Sequence, residues 1–165
     1  MGDIAQRYYS PLVGAWSGRF EFVVTDSQGL GQAGLASWLP LRLFALLAWF
    51  GTRMSTTLVA GDDERTFLHT TRVSLFGLPI YSTRESIVIA EDGRGFSMTG
   101  SQRQTLGKDE TYEAEGEVLE DSMGATYRLK FFGGDLVQRT RIVPEGLSLS
   151  QESPWTRGSV VLERV

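Results

Sequence analysis

Several residue types that support particular chemistries are absent or scarce in this chain. It contains no cysteine, which excludes a disulfide framework, a thiolate metal site and a thiol nucleophile. It contains a single histidine, and it has no zinc-ligand spacing, phosphate-binding loop or dinucleotide fingerprint. No metal and no cofactor is therefore predicted.

Clustered positive charge is also missing. The sixteen lysines and arginines are scattered singly and the net charge is -4, whereas a nucleic-acid partner requires a concentrated basic face. The opening "MGDIAQRYYSPLVG" has no basic stretch followed by an apolar run, so a secretory signal is not predicted and a cytoplasmic location is expected.

Short alternating segments make up most of the chain. In "GAWSGRFEFVV", residues 14 to 24, apolar and polar side chains alternate as in a strand with one apolar face. Similar runs follow, separated by breaks of glycine, proline, aspartate and serine at hairpin length, and they indicate about ten strands. No repeat or linker interrupts residues 1–165, which are therefore predicted to form a single domain.

Sequential hairpins in this number favour a closed structure, because an open meander leaves two unpaired edges. The predicted fold class is all-β: an antiparallel up-and-down β-barrel of about eight to ten strands. A non-β insertion between the first and second strands is expected to form a short helical lid.

The lid segment is "GLASWLPLRLFALLAWFG", residues 34–51. Ser37 is suited to cap a helix, Pro40 is tolerated in the first turn and Gly51 can end it. Arg42 and the proline interrupt the run, so a membrane span is not predicted.

The predicted lid helix is apolar nearly all round, which is more than one barrel mouth can bury. A second surface must therefore cover it. A homodimer partner is the first expectation, with a membrane as the second. The residues expected at the dimer contact are Trp38, Leu41, Phe44 and Trp49.

Barrel closure would bring the inward side chains of all strands to one lumen. Small residues on the same faces, Gly18, Gly100, Ala114 and Gly116, are interpreted as leaving room for an apolar ligand. The predicted ligand-binding residues are Phe20, Phe22, Met54, Phe67, His69, Tyr81, Phe96, Met98, Tyr112, Tyr127, Phe131 and Gln138.

Polar residues on these strands allow more than one reading. His69 is expected to point inward as a hydrogen-bonded lumen side chain, with a general base as the alternative. Glu85 would have a raised pKa if it faced inward, but a shift of one residue would place Arg84 there instead. Both remain open. The acidic run Glu113, Glu115 and Glu117 reads as a solvated outer face.

The motif "LVGAWSGRF", residues 12 to 20, resembles the Gly-x-Trp signature of the calycin superfamily, the lipocalins and fatty-acid-binding proteins. The resemblance implies that Trp16 plugs the closed end under an arginine, for which Arg164, Arg141 and Arg139 are candidates. In fatty-acid-binding proteins a helical lid also falls between the first two strands. The Arg-x-Tyr carboxylate clamp of that family is missing here.

Two further branches are similar in layout. Nitrobindins bind haem through a histidine late in the chain, whereas His69 lies early. Small calycin barrels of actinomycete polyketide pathways bind or cyclise polyenes, a resemblance without residue-by-residue matches.

The predicted function is an intracellular carrier for an elongated hydrophobic molecule, such as a fatty acid or a polyene or polyketide intermediate. The alternative is a cofactor-free polyketide cyclase that acts through orientation, assisted by His69, Glu85 or a tyrosine. A third reading is a solidly packed barrel with a dimer interface. Whether the protein is an enzyme stays open at this point.

Overall fold

The computed structural model describes residues 4–26, 51–104, 109–131 and 134–165; the side chains of residues 104, 130, 131 and 134 are outside this description. The predicted lid and dimer residues Trp38, Leu41, Phe44 and Trp49 lie outside the described residues, and so does the side chain of Phe131. The helical lid and its contacts therefore stay predictions.

Within these ranges one short helix precedes the strands. Helix α1 is Ile4–Tyr9 and is followed by a 3-10 turn at Ser10–Leu12. The strands are β1 (Gly14–Arg19), β2 (Glu21–Val24), β3 (Thr52–Ala60), β4 (Thr66–Leu75), β5 (Leu78–Ile89), β6 (Gly95–Gln104), β7 (Glu110–Val118), β8 (Gly124–Phe131), β9 (Gly134–Val143), β10 (Gly146–Glu152) and β11 (Thr156–Arg164).

Hydrogen bonding closes these strands into a barrel. From β3 to β11 each strand pairs antiparallel with the next, and β1 pairs with β3 on one side and with β11 on the other. Because β2 continues along β11, β1 and β2 act as one strand interrupted at Phe20. The barrel therefore has ten strand positions, and the predicted closed antiparallel barrel is confirmed.

Local sequence explains the strands and their turns. In β3 buried and exposed residues alternate, with Met54, Thr56 and Leu58 inward, as a period of two requires. The turn between β4 and β5 has positive φ at Phe76 (51°) and Gly77 (83°). Two such residues form the two-residue hairpin turn that matches strand twist. Glycine adopts this conformation readily, whereas Phe76 does so at a steric cost.

Helix α1 plugs one end of the barrel, which we call the closed end. Its Ala5 amide donates a 2.9 Å hydrogen bond to the Gly93 carbonyl in the turn between β5 and β6. Tyr9 stacks on Phe67 with ring centroids 5.3 Å apart and meets Phe96 edge-on at 5.5 Å. The sequence pattern did not predict this helix, which fills the lumen at the closed end.

The joint between β1 and β11 matches the arrangement implied by the calycin resemblance. The Trp16 indole donates to the Leu12 carbonyl at 2.8 Å, and the Arg164 guanidinium lies 5.1 Å from the centre of the Trp16 ring. Of the three candidate arginines, Arg164 occupies this position. Arg139 and Arg141 instead form surface ion pairs with Glu152 and Asp121.

The expectation that the small inward residues leave open space is wrong at three glycines. A Cβ at Gly116 would lie 2.3 Å from Cζ of Phe96, and one at Gly100 would lie 2.8 Å from Cζ of Tyr112. A Cβ at Gly18 would lie 2.1 Å from the Val161 carbonyl oxygen. The space beside these glycines is already occupied by their neighbours.

We predict that Gly116→Ala destabilises the protein by about 1–3 kcal/mol, because Phe96 and the backbone next to it must move to admit the methyl group. Gly95→Ala is the control: its Cβ would meet no atom closer than 3.5 Å, so a change below about 1 kcal/mol is expected. Urea unfolding measures both. Equal stability of the two variants would contradict the filled space at Gly116.

Candidate functional site

One row of paired residues crosses the middle of the barrel. His69 on β4 pairs with Glu85 on β5, Glu85 pairs with Gly100 on β6, and Gly100 pairs with Tyr112 on β7. Paired residues point to the same face of a sheet. Glu85 is buried and Arg84 is exposed, so the register that the sequence left open places the carboxylate inside.

Glu85 accepts hydrogen bonds on both of its oxygens. Nδ1 of His69 donates to Oε2, and the hydroxyl of Tyr112 donates to Oε1. Tyr112 reaches Glu85 across β6 because Gly100 has no side chain: a Cβ there would lie 3.0 Å from Cγ of Glu85. Gly100 therefore makes room for this hydrogen bond rather than for a ligand.

The second nitrogen of His69 faces hydroxyl groups. Nε2 contacts Oγ1 of Thr56 on β3 and lies 3.4 Å from Oγ1 of Thr71. With the Nδ1 proton directed at Glu85, Nε2 is left to accept a hydrogen bond. Thr56, His69 and Glu85 thus form a hydroxyl, imidazole and carboxylate line, in which the order of groups is that of a catalytic triad.

The pKa of Glu85 lies below its usual range. Burial acts in the opposite direction and would raise this pKa, but the attraction of His69 outweighs it, together with hydrogen bonds from His69 and Tyr112. Glu85 is therefore an ionised carboxylate inside the barrel. The expectation of a raised pKa for an inward Glu85 is wrong, because His69 and Tyr112 stabilise the charge.

Tyrosines surround this charge. Burial and then the negative charge of Glu85 raise the pKa values of Tyr81 and Tyr112 above the ordinary tyrosine range. Burial also raises the pKa of Tyr8 to about 12, although its hydrogen bond with Thr140 acts in the other direction. These phenols remain neutral hydrogen-bonding groups at any physiological pH.

A second hydrogen-bonded chain lies next to the first, on the open-end side of Glu85. The Tyr81 hydroxyl donates to Oε1 of Gln102 at 3.1 Å, and Nε2 of Gln102 donates to Glu110 at 2.8 Å. Gln102 is buried, so its amide hydrogen bonds are needed to offset its removal from water.

A small cavity of about 50 Å³ lies between the plug and the polar row. Tyr8, Tyr9, Met98, Tyr127 and Gln138 are among its lining residues. Because one water occupies about 30 Å³ of liquid, this cavity admits one or two waters and no long chain.

A wider recess, of about 1020 Å³, opens to solvent on β4, β5, β6 and β7, the strands that carry the row. Its lining includes the exposed residues Leu68, Thr70, Thr99, Ser101 and Thr111. Because residues next to inward positions point outward, most of this recess lies on the outer wall, but its lining also includes His69, Glu85 and Tyr112, so it borders the row.

The structure gathers most of the predicted ligand-binding residues on the inner face. The buried members are Phe20, Phe22, Met54, Phe67, Phe96, Met98 and Tyr127. The half-buried members are His69, Tyr81, Tyr112 and Gln138. Three residues of the site were missed by sequence reasoning: Thr56, Tyr8 and Tyr9. The alternation of β3 places Thr56 inward, but nothing in the sequence pairs it with His69.

The described residues contain no group of three histidine, aspartate or glutamate side chains that would hold a metal ion. No helix in the described part of the chain is long and apolar enough to cross a membrane.

The fold and the interior site define a class: a closed antiparallel barrel with a buried carboxylate–histidine pair in its lumen. The crystal structure of Rv2717c from M. tuberculosis is similar, with a TM-score of 0.59 over 98% of this chain and 97% of that chain. The two sequences are 14% identical, so the likeness shows a common fold alone. No protein-family model and no curated protein sequence matches this chain.

The ionised state of Glu85 predicts a pH dependence of stability. Because the pKa of Glu85 is lower in the folded than in the unfolded state, its contribution is present above the unfolded pKa and is lost as pH falls through the folded pKa. Glu85→Gln should therefore be destabilised at neutral pH, and its difference from wild type should narrow below about pH 4.

Urea unfolding at a series of pH values measures this difference. Glu113→Gln, which changes an exposed carboxylate on the outer face of β7, is the control and should follow wild type throughout. A gap between wild type and Glu85→Gln that stays constant with pH would show that Glu85 is not ionised in the fold.

Proposed function

We propose that the barrel is an intracellular carrier that binds an elongated hydrophobic small molecule in its lumen, with the polar end of the molecule at the His69–Glu85–Tyr112 row. The absence of cysteine fits a reducing compartment. The observation that carries the proposal is an ionised carboxylate, Glu85, held by His69 inside a largely apolar interior.

A buried charge contributes little to stability by itself. Removing a carboxylate from water costs several kcal/mol, and well-packed apolar residues often stabilise a fold equally well. The carboxylate–histidine pair is also not fully enclosed, since the His69 side chain is 18% exposed and Tyr112 is half-buried. An inward polar group that keeps accessible surface is suited to contact a ligand.

We propose that the ligand lies between this row and the open end, opposite α1. The plug and the small cavity exclude a long chain from the closed end. Phe20, Phe22 and Met54 supply apolar inner surface toward the open end. Burial of an alkyl chain there would contribute roughly 0.8 kcal/mol per methylene before ordering costs.

A break in the wall supports access to the row. The ladder between β7 and β8 comprises four pairs, from Glu115 with Arg128 to Val118 with Ala125. Within the described residues it stops before Ala114 and Leu129, although both strands continue toward the open end. Tyr112 lies on the part of β7 that pairs with β6 but not with β8, next to Glu85.

We propose that the chain belongs to the calycin superfamily. The Gly14-x-Trp16 motif and the position of Arg164 over Trp16 agree with the resemblance seen in the sequence. The ten strand positions and the likeness to Rv2717c support the fold but not the ligand.

A polyketide cyclase is the second candidate function. The line of Thr56, His69 and Glu85 supports it, because an imidazole held by a carboxylate is a suitable general base. A cyclase would return its ligand rearranged, whereas a carrier would return it unchanged. Native mass spectrometry and extraction of a copurified molecule distinguish these outcomes.

Titration with N-phenyl-naphthylamine, a neutral fluorophore, tests lumenal binding. Val73→Trp adds an indole to the inner face of β4 next to Met54, on the open-end side of His69, and should weaken binding by at least about tenfold. Ser97→Trp, on the exposed face of β6, adds the same group outside and should bind like wild type. Equal binding by both variants, or no binding by wild type, would contradict a lumenal site.

We also propose a homodimer through the apolar segment of residues 34–51, whose structure is outside the described residues. Two exposed apolar side chains at the open end support an interface there, Phe76 (64% exposed) and Leu78 (71% exposed). A membrane is the alternative partner.

Changing Leu41 and Phe44 together to Glu should convert the dimer to a monomer on light scattering, because a charge in an apolar interface lacks a partner. The exposed double variant Thr70→Glu and Thr99→Glu controls for added charge and should remain dimeric. A wild-type monomer at high concentration would overturn the dimer and favour the membrane.

A further inference from the structure

The described interior of the barrel contains the negative charge of Glu85 and no arginine or lysine side chain. Its buried polar residues are Thr52, Thr56, Thr71, Thr83, Glu85, Gln102, Ser153 and Thr156. Every arginine in the described part of the chain is exposed. An anionic ligand group would therefore find no arginine or lysine among these inner residues.

The hydrogen-bond donors of the row already have acceptors within the protein. Nδ1 of His69 and the Tyr112 hydroxyl both donate to Glu85, and the Tyr81 hydroxyl donates to Gln102. What remains for a ligand is the unused lone pairs of the carboxylate, the phenol oxygens and the Gln102 carbonyl, against two free donors, the Thr83 hydroxyl and the second amide proton of Gln102. The site can accept hydrogen bonds more readily than it can donate them.

The charge of the site, like its hydrogen-bonding groups, disfavours an anionic ligand. Glu85 is ionised, and the titratable groups facing it are His69, Tyr81, Tyr112 and the two deeper tyrosines, Tyr9 and Tyr127. Of these only His69 can carry a positive charge, and it is already engaged with Glu85. A second carboxylate brought next to Glu85 would be repelled at low effective dielectric.

We propose that the lumen selects ligands whose polar end is a hydrogen-bond donor without negative charge, a hydroxyl or an amine, and rejects carboxylates. This inference rests on the proposed lumenal binding and specifies its ligand class. Among elongated apolar molecules it favours alcohols, polyols and amines over fatty acids.

Three ligands with the same chain and different ends test the inference: dodecanol, dodecylamine and dodecanoate, each displacing N-phenyl-naphthylamine near neutral pH. Dodecanol and dodecylamine should bind at least about tenfold more tightly than dodecanoate. Comparison of the alcohol with the amine shows whether hydrogen-bond donation alone gives tight binding or whether a positive charge increases the affinity further.

Two variants connect the preference to Glu85. In Glu85→Gln the ratio of amine to carboxylate affinity should fall at least about tenfold, while Glu113→Gln on the outer face should keep the wild-type ratio. Tyr112→Phe retains the charge of Glu85 and frees one of its lone pairs, so it should keep or increase the preference for donors. If Glu85→Gln does not fold, Tyr112→Phe tests the role of Glu85 instead, and a weaker preference for donors in it would contradict that role.

The outcomes separate the two proposals. Tight binding of dodecanoate, equal to or better than the other two, would overturn the ligand class and leave lumenal binding intact. Failure of the fluorophore and of all three ligands to bind would overturn the proposed function itself. An unchanged ratio in Glu85→Gln would show that Glu85 does not set the preference.

Discussion

The hydrogen-bonded charge of Glu85 is the constraint on which the middle of this barrel depends. A lone carboxylate in an apolar interior would be protonated, and here His69 and Tyr112 keep it ionised from opposite sides. These partners lie on strands separated by β5 and β6, so the cluster joins β4 to β7 across the sheet. Gly100 is required because any side chain there would block Tyr112.

Close packing also fills the closed end of the barrel. Tyr8 and Tyr9 enter from α1 and occupy lumen that a ligand would otherwise fill, and Phe96 covers Gly116. The interior is consequently divided into an aromatic plug, a polar row at mid-height and an apolar region toward the open end. The proposed ligand site would lie in the last two of these regions.

Fold and site contribute differently to the functional argument. The likeness to Rv2717c extends over nearly the whole chain at 14% identity, so it supports the barrel and carries no ligand with it. The argument for binding comes from the side chains, above all from an ionised group that burial alone would neutralise. The line from Thr56 through His69 to Glu85 keeps acid–base chemistry within reach of the same cluster.

The sequence alone determined the strands, because alternation and turn residues are local signals. The run "TRMSTTLVA" coincides with β3, Thr52–Ala60, and the calycin resemblance correctly implied an arginine over Trp16. Only the tertiary structure decided between Glu85 and Arg84, and only it revealed the plug and the filled glycine positions. Those depend on register and on contacts between residues far apart in the chain, such as Tyr9 with Phe67, which no local pattern encodes.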